Sequence, residues 1–182
     1  MKKVCLLLFC ACYLSFTSRV TGQGLFLKAG ELTAGASQND TYQDYAEIHS
    51  FQFGTMIDVN ITGGTGSGVG KPSATKVVVT KSVDVSSSKL LQKQLMGQII
   101  PEIEIISTNF NGTIVHKIQL KDVYISDVAT SGAACSGGCP ASETLSLVYT
   151  AIKITTYTMN PNGSVTPDTP VMFNFRTITQ TY

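Results

Sequence analysis

The sequence predicts a mainly β fold: a closed or nearly closed β-barrel with one flanking α-helix at about residues 87–97. Three observations predict it. Long stretches rich in Val, Ile, Thr and aromatic residues read as strands. Turn signals such as Asn111-Gly112 and Asn162-Gly163 separate them. Helix signals occur only once beyond the first twenty or so residues. Strands this long need their edges covered, and closure into a barrel does that.

The elements follow in order. Leu25-Phe26-Leu27-Lys28 reads as a first strand, and Glu31 to Tyr42 as a loop rich in Gly, Ala, Ser, Gln and Asn. Residues 45–61, YAEIHSFQFGTMIDVNI, read as one long strand or a pair broken at Gly54. Ile48, Phe51, Phe53, Met56, Ile57, Val59 and Ile61 supply its apolar content. A glycine-rich loop, residues 63–72, leads into the strand Lys76-Val77-Val78-Val79-Thr80.

The helix comes next. Ser86, Ser87 or Ser88 is placed to cap it by accepting from early N–H groups. Leu90, Leu91, Leu95 and Met96 form an apolar stripe expected to lie on the sheet, with Lys89, Gln92 and Lys93 on the other face. Gly97 is a stop signal, and Pro101 disfavours continuation. Ile103-Ile105 then leads to Asn111-Gly112, a dipeptide favoured in type I′ hairpin turns. Residues 113–128 form the return strand. Its apolar phase changes from Ile118 and Leu120 to Val123 and Ile125, which predicts a bulge near Lys121-Asp122. A Gly/Ala/Ser/Cys loop covers 129–142. Residues 143–158 are another long strand, whose phase shifts from Leu145, Leu147 and Tyr149 to Ile152 and Ile154. Residues 171–179, VMFNFRTIT, are the last strand. No internal repeat or linker is visible.

The first 22 residues read as a secretory leader. Met1-Lys2-Lys3 is a positive n-region, Val4 to Phe16 an apolar run, and Val20-Thr21-Gly22 a cleavage site. The apolar run is too short for a comfortable membrane span of roughly 20 residues. Cleavage after Gly22 leaves residues 23–182 as one domain, large enough to fold without a disulfide. The expected location is periplasmic or extracellular, with no stable membrane insertion once the leader is removed. The chain carries a net charge of +1, and losing Lys2, Lys3 and Arg19 leaves acids in slight excess. No polybasic footprint remains, which argues against nucleic acid as a partner.

Three of the five cysteines fall in the leader. Cys135 and Cys139, in C-S-G-G-C-P, are a candidate disulfide in an oxidising compartment. So small a closed loop would tidy the segment rather than hold the fold. No second ligand pair is present for a metal.

Signals for chemistry are weak throughout. The glycine loop fails as a phosphate loop: Thr65 stands where the first glycine belongs, Pro72 follows Lys71, and a strand follows instead of a helix. His49 and His116 sit in predicted strands and read as surface residues. No nucleophile elbow accompanies them. Glu102 and Glu104 alternate with Ile103 and Ile105 and read as a solvated face rather than a glycosidase pair. N-x-[ST] sequons at Asn39, Asn60, Asn111 and Asn162 are candidate glycosylation sites in an exported chain. No catalytic residue, metal site or cofactor is predicted.

Several segments in a fixed order are similar to the Hcp family, the ring-forming tube proteins of bacterial type VI secretion. They are LFLK, EIHSFQFG, the glycine loop ending in GKP, VTKSVDVSSSKL, IQLKDVYIS, ETLSLVYTAIKITTY and VMFNF. Together they cover nearly all of residues 23–182. The resemblance implies a barrel with one flanking helix, a homo-hexameric ring with a wide lumen able to hold protein cargo, and rings able to stack. It implies that the loop between the second and third main strands reaches the neighbouring ring. Here that loop carries Gly63, Gly64, Gly66, Gly68, Gly70, Lys71 and Pro72. Three features depart from the family. A secretory leader is present, Phe53 stands where Trp is frequent, and Ser86-Ser87-Ser88 lacks the usual Ser-Pro pair before the helix. The other reading of the same barrel is an exported monomeric module that binds a glycan or protein.

Overall fold

A computed structural model describes residues 23–60, 68–134 and 138–182. The leader, Ile61, Gly63, Gly64, Gly66 and Cys135 lie outside the described residues.

The fold is mainly β, as predicted. Strands β1 (Leu25–Lys28), β2 (Ala46–Glu47) and β3 (Ser50–Gln52) are followed by two short ladders outside the main sheet. β4 (Thr55–Met56) pairs with β7 (Ser73–Ala74), and β5 (Val59–Asn60) with β6 (Gly68–Val69). After β8 (Val77–Ser82) comes the single helix among the described residues, α1 (Ser87–Leu95). β9 (Ile100–Thr108), β10 (Ile114–Ser131), β11 (Ser142–Val148), β12 (Ala151–Met159), β13 (Val165–Pro167) and β14 (Val171–Asn174) complete the chain.

The main sheet runs β2-β1-β9-β10-β11-β8-β3, and β12, β13 and β14 branch from β10. The ladder does not close, so the closed barrel is corrected to an open one. Its end strands β2 and β3 are nonetheless joined by only Ile48 and His49. The Ile48 N–H donates to the Leu25 carbonyl at 3.0 Å and the His49 N–H to that of Thr80 at 2.7 Å. The two edges thus meet through one bent stretch of backbone, with their polar groups satisfied where the chain crosses.

β10 is the spine. Its first half pairs with β9 on one side and β12 on the other, and its second half pairs with β11. The buried face changes from Ile118 and Leu120 to Val123 and Ile125, as the sequence indicates. The cause differs from the expected bulge. Asp122 has φ +49, and Lys121 still pairs with Ala151 and Tyr124 with Val148 in one continuous register. Thr150, opposite Asp122, donates through its hydroxyl to Asp122 Oδ2 at 3.1 Å. Both strands change phase at the same step, so neither carries an extra residue. The true bulge comes later, between Ile125 and Asp127, where Ser126 Oγ donates to the Ser146 carbonyl at 3.1 Å.

The core joins inward residues of every main strand: Leu27, Val77, Val79, Ile103, Ile105, Ile118, Leu120, Val123, Leu145, Leu147 and Ile152, with Leu90 of the helix. A smaller cluster lies on the other face of β1 and β9. Phe26 and Ile106 meet Tyr42 there, and the Phe26 and Tyr42 rings stack at 4.6 Å. The loop after β1 is therefore packed down, not free.

Other elements depart from expectation in definite ways. Residues 45–61 do not form one long strand; the stretch breaks into β2, β3, β4 and β5. At Asn111-Gly112 only Gly112 has positive φ, at +74, so the turn is not type I′. Asn109 Oδ1 instead accepts from the N–H groups of Asn111 and Thr113. The last strand ends at Asn174, where Asn174 Oδ1 accepts from the N–H groups of Arg176 and Thr177.

Candidate functional site

Two features stand out: an arm that leaves the sheet, and a helix held at one end.

The arm consists of the β4–β7 and β5–β6 ladders. Neither ladder is hydrogen-bonded to the main sheet. Gly54 begins it by accepting from the Thr75 N–H and hydroxyl, both at 2.9 Å. Asp58 accepts from the Gly70 N–H at 2.7 Å. A Cβ on Gly70 would stand 3.2 Å from both the Asp58 Cβ and its carbonyl oxygen, a tight approach to which Asp58 would have to yield slightly. Of the loop residues named from the sequence, Gly68 lies in β6, Gly70 binds Asp58, Lys71 is exposed and Pro72 is half-buried. Met56, Ile57, Val59 and Val69 are all exposed. The first three supply apolar content to the strand expected over 45–61; in the structure they are the surface of the arm.

The start of α1 is anchored by buried charge. Lys81 is fully buried, and its Nζ lies 2.8 Å from Asp84 Oδ2 and 2.9 Å from Glu143 Oε1. It also donates to the Ser82 carbonyl at 2.8 Å and to Ser87 Oγ at 3.2 Å. Ser87 in turn donates to Glu143 Oε1 at 2.8 Å. The predicted serine cap takes another form: Ser86 stands at the N-cap without a side-chain cap bond. Asp84 Oδ1 accepts from the Ser86 N–H at 2.8 Å, while Ser87 Oγ accepts from the Asp84 N–H at 3.0 Å. The helix stops as expected, with Gly97 at φ +58 and the Gln98 N–H donating to the Lys93 carbonyl. The predicted stripe does not lie on the sheet. Leu90 alone is buried, and Leu91, Leu95 and Met96 are exposed.

This charge cluster escaped the sequence reading, though its signal was there. Lys81 keeps the parity of inward Val77 and Val79, and Glu143 that of Leu145 and Leu147. The register then sets Lys81 opposite Glu143.

The remaining candidates are dispersed. His49 is exposed, with Nε2 2.9 Å from Ser82 Oγ. His116 is not a surface residue; it is half-buried, with its ring nearly parallel to that of Phe51 at 6.3 Å. Burial lowers its pKa, because the charged imidazolium loses hydration. Its folded pKa thus lies below its unfolded value of about 6.5. Stability from neutral His116 is full above that value and is lost as pH falls through it toward the folded pKa. The denaturation midpoint should therefore drop between pH 8 and pH 5, and His116→Phe should flatten that part of the slope.

Glu102 and Glu104 are not a bare solvated pair. Glu104 Oε2 lies 3.0 Å from Lys117 Nζ, and its Oε1 accepts from the Tyr45 hydroxyl at 2.6 Å. Burial, then that bond, raises the Tyr45 pKa. Glu102 Oε2 accepts from the Tyr182 hydroxyl at 3.0 Å, and the Tyr182 ring lies under Lys121 and Lys153. These contacts tie down the outer face of β9, β10 and β12.

Cys139 is disulfide-bonded. Asn111 and Asn162 are exposed at turns; Asn39 is half-buried, its Oδ1 accepting from the Thr41 N–H, and Asn60 lies in β5. Among the described residues no group of His, Cys, Asp and Glu is arranged to hold a metal, and no helix is long and apolar enough to cross a membrane.

The Tyr149 hydroxyl is buried with no protein partner, and burial raises its pKa to about 12. Its ring packs edge-on against Phe175 at 5.8 Å. Since the hydroxyl makes no bond to lose, Tyr149→Phe should leave the urea midpoint unchanged or raise it.

The family model described as "Type VI secretion system effector, Hcp" matches residues 26–182. None of the curated proteins matches the chain. Among solved structures, one described as a type six secretion system protein superposes with a TM-score of 0.78 at 22% identity, covering 87% of this chain and 99% of that one. Hcp1 from Salmonella typhimurium gives 0.70 at 20% identity, covering 88% and 99%. A type VI secretion system effector from Yersinia pestis gives 0.61 at 17% identity, covering 82% and 98%. At these identities the structural matches establish a shared fold.

Proposed function

This chain belongs to the Hcp family of type VI secretion effectors, and from that membership we propose that it acts by self-assembly: six copies close into a ring that is able to stack, hold protein cargo in its lumen, or itself be delivered as an effector. The family is one of structural tube proteins, and no catalytic residue or cofactor enters this reading. The observation that carries it is the arm. Met56, Ile57, Val59 and Val69 are exposed on two short ladders that, among the described residues, pair outside the main sheet. Apolar surface held out on an arm is the usual mark of an interaction site.

In the same reading, residues 1–22 are a leader removed on export, residues 23–182 are the assembling domain, and Cys135 is the partner of Cys139. The segment Gly63 to Pro72, with Gly64, Gly66, Gly68, Gly70 and Lys71, is the part of the chain that contacts the next ring. Exposed Asn111 and Asn162 are the acceptors that a glycosylating host would reach most easily.

Light scattering and negative-stain imaging of residues 23–182, with and without reductant, test the reading. Six-membered rings in both conditions are expected, since the small disulfide loop contributes little to the fold. A clean monomer at high concentration overturns it, and leaves the exported binding module as the reading to pursue.

A further inference from the structure

Two turns of this chain are built alike around an Asn-Gly pair. The Asn109 N–H donates to the Thr113 carbonyl at 2.9 Å, and the Asn160 N–H to that of Ser164 at 2.8 Å. The Gly112 and Gly163 N–H groups donate back to the Asn109 and Asn160 carbonyls, both at 2.9 Å. Gly112 has φ +74 and Gly163 φ +81. Asn111 and Asn162 are both exposed.

The carboxamides are used differently. In the first turn Asn109 supplies the side-chain acceptor, its Oδ1 taking the N–H groups of Asn111 at 3.0 Å and Thr113 at 2.9 Å. The Asn111 carboxamide is left with no hydrogen bond among the described residues. In the second turn Asn162 supplies the acceptor. Its Oδ1 takes the Ser164 N–H at 3.0 Å and the Ser164 hydroxyl at 2.7 Å. Ser164 Oγ is itself held by Asn160 Nδ2 at 3.0 Å.

This difference decides a reaction. Glycine has no side chain to shield its nitrogen from the preceding carboxamide. As that nitrogen gives up its proton it attacks the asparagine Cγ. The N–Cγ bond forms, the Cγ–Nδ2 bond breaks, and ammonia leaves behind a cyclic imide. Water then opens the ring at one carbonyl or the other, giving aspartate or isoaspartate. The net change consumes one water and releases one ammonia. Attack requires the carboxamide to turn its Cγ onto the glycine nitrogen. Asn111 can do so at once, whereas Asn162 must first give up two hydrogen bonds.

We propose that Asn111 is a site of spontaneous deamidation in the folded protein, and that Ser164 protects Asn162 in the matching turn. The isoaspartyl product adds a backbone atom just ahead of Gly112, whose carbonyl accepts from the Tyr42 hydroxyl at 2.7 Å. Modification at this turn therefore reaches the Phe26–Tyr42 cluster.

The test uses the full chain purified from a host that adds no glycan to these sequons. It is kept at mildly alkaline pH and sampled over time, and the peptides containing residues 111 and 162 are followed by mass and by isoaspartate content. In the folded protein Asn111 should convert faster than Asn162 by about tenfold or more, the factor implied by giving up two neutral hydrogen bonds. In urea the two rates should converge, because both asparagines precede glycine. Ser164→Ala should raise the rate at Asn162 and leave that at Asn111 unchanged. Ser164 is exposed, so the fold should persist. An intact Asn111 in the folded chain, or equal rates at the two positions, overturns the proposal. So does a rate difference that survives unchanged in urea, since it would then come from the flanking residues and not from the turn.

Discussion

Replacing Lys81 with alanine is expected to cost about 3–5 kcal/mol of folding stability, the usual loss when one partner of a buried charge group is removed. Lys81 is the only cation within ion-pair distance of either Asp84 or Glu143 among the described residues. Glu143 is 3% exposed, and its carboxylate would keep only the Ser87 hydroxyl as partner. The loss should appear as a large drop in the urea midpoint with little change in slope. Removing both main partners is a different matter. Lys81→Met with Glu143→Leu replaces the pair by apolar groups of similar volume, and should recover much of the loss. A Lys81→Ala cost below about 1 kcal/mol would mean that these charges remain hydrated in solution.

Leu90→Ala should cost about 2–5 kcal/mol, the range for truncating a large buried side chain. Leu95→Ala, one turn further on at an exposed position, should stay within about 0.5 kcal/mol. The contrast follows from how α1 is held: buried charges fix its first turn, and Leu90 is its one side chain in the core. Hydrogen exchange gives a second check. In Leu90→Ala the α1 amides should lose protection before those of β9 and β10, because the helix loses its core contact while the sheet keeps its own.

Much of this architecture was legible in the sequence. The first strand, the helix and its stop at Gly97 fall where the residues put them. The phase change in the 113–128 strand marks the step at Asp122. What the sequence concealed has physical causes. A phase change says that the inward face has switched, but not whether one strand gained a residue or two strands turned together. The register of Lys121 with Ala151 and Tyr124 with Val148 decides for the second. The apolar stripe of α1 is expected on the sheet because apolar side chains usually seek the core, and composition alone does not separate inward from outward positions in 45–61. Met56, Ile57, Val59, Leu91, Leu95 and Met96 instead remain outside. Lys81 was passed over for the opposite reason. Charge suggested surface, while its parity with Val77 and Val79 pointed inward. Alternation was the better guide in β8 and β11, because backbone pleating admits only two directions for a side chain.

The joint turn at Asp122 and Thr150 bears on how this chain can vary in length. From His116 to Ile125, β10 and its partner keep one register across the step. Adding or deleting one residue in either strand would turn every position beyond it to the opposite face, setting Lys121 or Gln119 against the core in place of Leu120. Insertions and deletions in related chains should therefore be absent from 116–125 and 147–156. They should gather in the arm and in the connection between β10 and β11, outside this paired span.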